Sequence, residues 1–460
     1  MVEPRTHAFW HPFADMSAVS GRELVIESGN GCYVTAEDGT EYLDATAGLW
    51  YCNVGHGRTE IAEAVMRQMG RIASYSNFGD LATRATLDLA DRLAALAPMP
   101  DARVFFTSGG SDAVDTAVKL VRRYWALVGR PGRTGIVTRT RSYHGMHLAG
   151  TSLAGIPANR EGYGPLDADV SNVGWDDAAA LADRIDSLGA ENVAAFFCEP
   201  VIGAGGVYPP PPGYLAQVRE ICRERGVLFV ADEVISGYGR TGTMFASAGL
   251  DPDLVLTAKG LTSGYQPMGA VLVAGPVAEP FWTTPGLLWR HGYTYSGHAS
   301  AAAAAMANLD IIEAEELVER VAGHQLALTV ALAPLQAHDW VAEARSGAGL
   351  LGAVQIEPSL LASDPTAMPR ILAGLRDRGI LTRGLADGSV QVSPPFVITR
   401  AEIARIGSAI DDVLVDLGSI RTVRGALDDT LMPALTTDEA GGFGNSDARL
   451  LADVPPHHGS

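Results

Sequence analysis

Lysine is nearly missing from this chain: Lys119 and Lys259 are the only two among 460 residues, so any lysine-based chemistry has two candidates. Positive charge as a whole is scarce, with 34 Lys and Arg against 53 Asp and Glu and a formal net charge of -19. Affinity built on phosphate neutralisation needs a basic face that releases counterions, so nucleic acid is not an expected partner. The four cysteines, Cys32, Cys52, Cys198 and Cys222, form no Cys-x-x-Cys pair, which excludes a zinc ribbon or a dithiol redox motif and fits a reducing cytoplasm. Long apolar runs are absent too. The longest mostly apolar stretch, Ala299 to Leu309, is too short to cross a bilayer, and Met1 to Phe13 lacks the continuous apolar segment of a signal peptide. A soluble, cytoplasmic protein with no membrane partner is therefore expected.

What remains is an ordinary globular composition, 47% hydrophobic and 19% charged, in a chain long enough for two domains sharing a cleft. From about Arg103 short apolar runs alternate with longer amphipathic ones, the pattern of an α/β protein with a mainly parallel sheet. Strands are predicted at Val104–Thr107, Gly135–Thr138, Val193–Cys198, Val227–Ala231, Leu254–Thr257 and Ala270–Val273, with helices at Ser111–Trp125, Tyr214–Arg225 and Ala299–Glu319. Hairpin signals at Asn30-Gly31 and Asp38-Gly39, an alternating strand Ser389–Ser393 before Pro394-Pro395, and a helix from about Ala401 to Leu417 predict a smaller α+β unit. The expected division is a large domain over 61–320, a small discontinuous domain over 1–60 and 321–425, and a tail over 426–460.

In open sheets of this kind ligands sit at the carboxyl ends of the strands. The strand Val227–Ala231 delivers Asp232 and Glu233 there, and Leu254–Thr257 delivers Lys259 to the same rim, twenty-seven positions after Asp232. A capping or solvent-facing acid and a surface lysine are the plainer readings. Gly260, Gly264 and Gly269 favour a backbone packed close to a ligand instead. Lys119, beside Arg122 and Arg123 within a helix, lies on a solvated face. A lysine and an acid on one rim suit pyridoxal 5'-phosphate, which needs an amine to hold it covalently and a carboxylate on its pyridine nitrogen. An Asp-pyridinium pair at about 3 Å is worth up to roughly 5 kcal/mol at an effective dielectric near 20, before desolvation. Thr107-Ser-Gly-Gly-Ser-Asp112, between a strand and a helix, offers Gly110 and Ser111 as phosphate donors; a plain capping loop with Ser111 as cap is the alternative. Tyr143 could stack on the pyridine face. His144 and His147 have no carboxylate partner near them in sequence and no third ligand, so no metal is expected. Gly237-Tyr-Gly239-Arg-Thr-Gly242 matches the dinucleotide fingerprint, but Gly249 and Pro252 interrupt the helix it should open and Lys259 stands where its acid belongs. A nicotinamide-dependent dehydrogenase is thereby the remote alternative.

Ala231-Asp-Glu-Val-Ile-Ser-Gly-Tyr-Gly-Arg-Thr-Gly242 and Thr257-Ala-Lys-Gly-Leu-Thr-Ser-Gly-Tyr265 resemble blocks of the class III aminotransferases, especially the ω-amino acid:pyruvate branch. Thr107–Lys119, Ser142–Gly145, Cys198–Gly206 and His291–His298 add further blocks in family order, and the resemblance spans roughly Phe9 to Leu417. It implies a fold-type I pyridoxal-phosphate transferase and a homodimer with shared active sites, and leaves open whether two such dimers associate into a dimer of dimers. Lys259 would hold the cofactor and shuttle a proton, Asp232 would hold the pyridine nitrogen with Glu199 beside it, a purely structural role being the equal alternative for Glu199, and Val234 would face the ring opposite Tyr143. Gly110 and Ser111 would bind phosphate, joined by Thr294 from the other subunit. Trp50 would wall the substrate pocket, Phe78 would come from the partner subunit, and Arg383 would pair with a substrate carboxylate; for Trp50 and Phe78 core packing is the plainer reading. The reaction implied moves an amino group from an ω-amino acid, diamine or simple amine to an α-keto acid such as pyruvate, with an aminomutase or decarboxylase as the nearest alternative. Two departures stand out: Ser111-Asp-Ala-Val-Asp115 replaces the more usual Ser-Glu-Ala-Asn-Asp, and nothing after Leu417 has a family counterpart.

Overall fold

A computed structural model describes residues 7–427. The expected tail over 426–460 lies almost wholly outside the described residues. The N-terminal strands Ile26–Asn30 (β1), Tyr33–Ala36 (β2) and Glu41–Asp44 (β3) form an antiparallel meander. Its two turns fall at Asn30-Gly31 and Asp38-Gly39, where Gly31 and Gly39 take the positive φ of 57° and 84° that glycine tolerates.

The central sheet contains Arg103–Thr107 (β4), Gly135–Arg139 (β5), Val170–Val173 (β6), Val193–Cys198 (β7), Leu228–Asp232 (β8), Leu254–Thr257 (β9) and Gly269–Val273 (β10), in the order β4-β10-β9-β8-β7-β5-β6. All pairings are parallel except those of β10, which runs against both β4 and β9. β7, β8, β9 and β10 are buried on both faces, which is why they read as unbroken apolar runs in the sequence. β6 was not predicted: Val-Ser-Asn-Val is short, half polar and half-buried at the sheet edge.

A three-stranded sheet of Val341–Arg345 (β11), Gly352–Ile356 (β12) and Ser389–Val392 (β14) follows. The two-residue strand Ile380–Leu381 (β13) returns to pair in parallel with β3, tying residues near 380 to the N-terminal meander. The predicted helix Ala299–Glu319 is corrected to two, Ala299–Ala314 and Leu317–Leu332, because Glu316 enters the left-handed region at φ 50° and breaks the run. The last helix, Arg400–Leu427, extends beyond the predicted end at Leu417.

Candidate active site

Three neighbouring parallel strands end at one rim and carry its charged groups. Register places Cys198 beside Ala231 and Asp232 beside Leu256, so Glu199, Asp232 and Lys259 leave adjacent strands at the same edge. Each carboxylate is held from within the protein. Asp232, 4% exposed, accepts from His144 Nδ1 at 2.7 Å through Oδ2 and from the Val234 N–H at 3.2 Å through Oδ1. A carboxylate has about four lone-pair sites, so two acceptor positions remain for a cationic partner. Glu199, also buried, accepts from the Tyr143 N–H at 2.9 Å and the Gly203 N–H at 3.0 Å. Burial raises its pKa, with His144 and the two backbone donors opposing the rise. Glu233 turns away from the rim, its carboxylate bonded to Ser236, Ala246 and Ser247.

His144 corrects the sequence reading, which gave it no carboxylate partner. The partner is Asp232, 88 positions away, so no local spacing could signal the pair. The other ring nitrogen lies 3.1 Å from Thr138 Oγ1, which fixes the ring at both ends. His147 likewise has a carboxylate near it, Asp112 at 3.4 Å. Among the described residues no cluster of three or more His, Cys, Asp or Glu could hold a metal ion.

Lys259 opens a short 3-10 turn with a backbone φ of 45°, a strained geometry for a residue with a Cβ. Asn308, fully buried on the helix Ala299–Ala314, donates to the carbonyls of Gly260 and Leu261 at 2.9 and 3.0 Å and pins that turn. Desolvation lowers the Lys259 pKa from 10.5 to about 8, Asp232 and Glu199 acting against it. The glycines around this lysine were expected to clear room for a ligand; their space is filled by protein. A Cβ on Gly260 would strike the Asn53 side chain, one on Gly264 the Tyr51 ring, and one on Gly269 Thr107 Oγ1 at 2.6 Å.

At the edge of the same sheet the helix Gly110–Leu127 begins immediately after β4. Its cap is Gly109, without a side-chain cap bond, so Ser111 is not the helix cap. Ser111 Oγ instead accepts from the Met146 N–H at 3.2 Å. Helix geometry leaves the first-turn N–H groups of Gly110 and Ser111 without intrahelical acceptors, and the helix dipole favours an anion there. A Cβ on Gly109 would meet nothing within 4 Å, so the cradle is open. Val234 closes another side, 2.9 Å from where a Gly110 Cβ would stand. An anion cradle, a carboxylate with spare acceptor positions and a lysine of depressed pKa make a donor set that fits pyridoxal phosphate.

Trp50 has both the lysine and the expected carboxylate partner close to its ring. It is 2% exposed, has a positive φ of 61°, and donates from Nε1 to Ser393 Oγ at 3.2 Å. Lys259 Nζ is 5.5 Å and Arg383 Cζ 4.3 Å from its ring centre. Arg383 donates from Nε to Gln391 Oε1 at 2.8 Å, and burial lowers its pKa to about 10. Tyr143 is close enough to influence that charge. Phe78, 56% exposed, and Thr294, also exposed, are not brought into this cluster. They belong to one surface, where the Phe78 ring approaches the place a Gly292 Cβ would occupy at 3.4 Å.

The dinucleotide-like glycines have another purpose. Gly237–Gly242 open no helix and form a buried loop, from which Arg240 donates to Asn53 Oδ1 at 2.8 Å and to the carbonyls of Pro394 and Leu350. Lys119 is exposed, as expected, but its ammonium lies 2.9 Å from His291 Nδ1.

Comparison with known proteins agrees with this chemistry. Residues 16–414 match the family described as aminotransferase class-III. A putrescine–pyruvate aminotransferase of Pseudomonas aeruginosa is 37% identical over 417 residues, 85% of this chain and 91% of that one. A β-alanine–pyruvate aminotransferase of the same organism is 36% identical over 438 residues, 90% and 96% of the two chains. The solved structure of a PLP-bound amine transaminase from an uncultivated Pseudomonas species superposes with a TM-score of 0.85 at 36% identity, covering 90% of this chain and all of the other. The fold is that of the fold-type I transaminases. On the family match and on relatives of this identity spanning most of both chains, the protein belongs to the class-III aminotransferases, with pyridoxal phosphate as cofactor.

Proposed function

We propose that this aminotransferase takes its amino group from an ω-amino acid, a diamine or a simple amine and delivers it to pyruvate. The observation that carries this reading is Trp50, with Lys259 Nζ and the Arg383 guanidinium both within 6 Å of its ring. A cation suited to a carboxylate thus stands beside the same indole as the reactive amine, an arrangement that suits an α-keto acid. The substrates named for the two Pseudomonas aeruginosa relatives, putrescine, β-alanine and pyruvate, support the same assignment.

When bound, pyridoxal phosphate supplies the electron sink for bond breaking at the substrate carbon. Lys259, with its pKa lowered to about 8, presents a usable fraction of neutral amine near neutral pH and moves the substrate proton. Asp232, aimed by His144, would hold positive charge at the pyridine nitrogen. Gly110 and Ser111 would hold the phosphate, joined by Thr294 from the other subunit. Tyr143 would cover one face of the ring and Val234 the other, while Glu199 fixes the Tyr143 backbone. Trp50 and Phe78 shape the substrate pocket, Phe78 from the opposite subunit, and Arg383 binds the carboxylate.

The working unit in this reading is a homodimer with shared sites, and a dimer of dimers is the larger assembly to test for. Exposed apolar side chains at Phe78, Trp282, Leu288 and Tyr295 support it. The pairing of β13 with β3 supports a division into residues 61–320 and a discontinuous unit of 1–60 and 321–425. Four free, buried cysteines suit a cytoplasmic setting.

The test is the absorption spectrum of the holoenzyme and of Lys259→Ala, taken before and after an amine donor and then a keto acid. A wild-type band that bleaches with amine and returns with pyruvate, in a protein whose variant cannot cycle, is the expected result. Return with 2-oxoglutarate but not pyruvate overturns the assignment of the acceptor.

A further inference from the structure

Arg383 has an unusual position for a cation. Among the described residues no carboxylate pairs with it, and its neighbours are an indole face, a tyrosine and one neutral amide. That amide belongs to Gln391, which is fully buried on β14. The backbones of the two residues are joined as well, the Gln391 N–H donating to the Arg383 carbonyl at 3.0 Å. Thr382 Oγ1 donates to the Gln391 carbonyl at 2.5 Å, so both chains are fixed before the side chains meet.

The orientation of the Gln391 amide is set by chemistry. Its oxygen must face Arg383 Nε, because the flipped amide would put N–H against N–H. This leaves Gln391 Nε2 buried with no acceptor among the described residues. The unsatisfied amide nitrogen is thus the direct consequence of serving the guanidinium. A side chain used only to fill this space would be apolar and leave nothing unpaired.

We propose that Gln391 is a specificity-determining positioning residue: by holding Nε it keeps the Arg383 guanidinium beside Trp50 with its terminal nitrogens free, which favours carboxylate-bearing substrates over carboxylate-free amines. The inference rests on the proposed role of Arg383. A substrate carboxylate takes the two terminal nitrogens as a fork, for which the planar guanidinium must already be oriented. A carboxylate-free amine supplies no counter-charge, so for that substrate the Gln391 bond retains a desolvated cation in the pocket to no benefit.

The test uses the holoenzyme and the variants Gln391→Met, Gln391→Glu and Arg383→Ala. Steady-state kinetics are measured with pyruvate, with an ω-amino acid and with an aryl-alkyl amine, and calorimetry reads the binding of propionate, an unreactive carboxylate. Gln391→Met is expected to raise KM for the carboxylate substrates and the propionate Kd about tenfold, the size of one hydrogen bond to a charged group. With the same variant, kcat stays within about twofold and KM for the aryl-alkyl amine is unchanged or lower. Equal changes for all substrates, or none, overturn the proposal. Should Gln391→Met fail to fold, the isosteric Gln391→Glu decides: its carboxylate pairs with Arg383 internally and must abolish propionate binding without loss of the cofactor spectrum, and retained binding refutes the role. If Arg383→Ala leaves propionate affinity intact, the reading of Arg383 itself fails; if it loses that affinity while Gln391→Met does not, only the proposal for Gln391 fails.

Discussion

Replacing His144 by Phe tests whether the Asp232 carboxylate needs its imidazole partner to hold the cofactor. The His144–Asp232 bond is 2.7 Å long, and both side chains are within 4% of complete burial. Phe fills most of the ring volume, so the change removes chemistry more than packing, and Asp232 keeps only the Val234 N–H at 3.2 Å. A buried hydrogen bond to a charged group contributes about 1.5–3 kcal/mol. With about 1.4 kcal/mol per tenfold in affinity, the expected loss is roughly 10- to 150-fold in pyridoxal phosphate Kd. The assay is titration of the apoenzyme with cofactor, followed by absorbance, beside thermal melts of each apoenzyme. His144→Gln, which retains an N–H, should recover part of the affinity. Cofactor binding within twofold of wild type in a His144→Phe protein that melts normally would refute the reasoning, because it would show that Asp232 is oriented without the imidazole.

Three further outcomes follow from the same geometry. The Lys259 pKa is about 8 folded against 10.5 ordinarily, so between those values the unfolded chain binds more protons and stability rises with pH. Urea midpoints of apoenzyme should therefore improve relative to Lys259→Met between pH 8 and 10.5 and show no such relative gain below pH 7; a flat difference across the range contradicts the desolvated lysine. Gly145→Ala should weaken cofactor retention in gel filtration, since Gly145 has φ 85° and a Cβ there would strike Ser111 at the phosphate cradle; full retention would place the anion elsewhere. Arg240→Lys should destabilise the fold by about 2–4 kcal/mol in urea unfolding, because one ammonium cannot span Asn53 Oδ1 and the Pro394 carbonyl while stacking on Phe396. A loss below about 0.5 kcal/mol would make that loop anchor redundant.

The buried strands were legible in the sequence because burial on both faces imposes unbroken apolar runs: Val193–Cys198 and Leu254–Thr257 have the predicted bounds. β6 and β11 were not, since an edge strand with wet side chains carries no such run, and neither was the central, buried β12, whose Gly-Ala-Val-Gln-Ile is short and interrupted by a polar residue. Lys259 and Asp232 could be picked out because each follows a recognisable strand and lysine is rare. His144, Asn308 and Gln391 could not. Their partners lie 88, 48 and 8 positions away, and a histidine or amide in a loop, helix or strand looks the same whether it faces a carboxylate or packs in the core. The glycines beside Lys259 misled for a related reason: a missing Cβ signals close approach without saying what approaches, and here it is Asn53, Tyr51 and Thr107.

One sheet edge gives its acid and its base different fates through their hydrogen-bond partners. Burial alone disfavours charge on both, raising Glu199 and lowering Lys259, and so draws a carboxyl and an amine toward each other in proton affinity. For the proton-shuttling role proposed for the lysine this is useful, because a loosely held proton can be exchanged with a substrate carbon. Asp232, one strand from Glu199, is the acid given an imidazole N–H as well as a backbone N–H, while Glu199 has backbone donors alone. On the proposed roles, what sets the cofactor-holding carboxylate apart from the supporting one is the hydrogen bond from His144, which the strand carrying Asp232 does not contain.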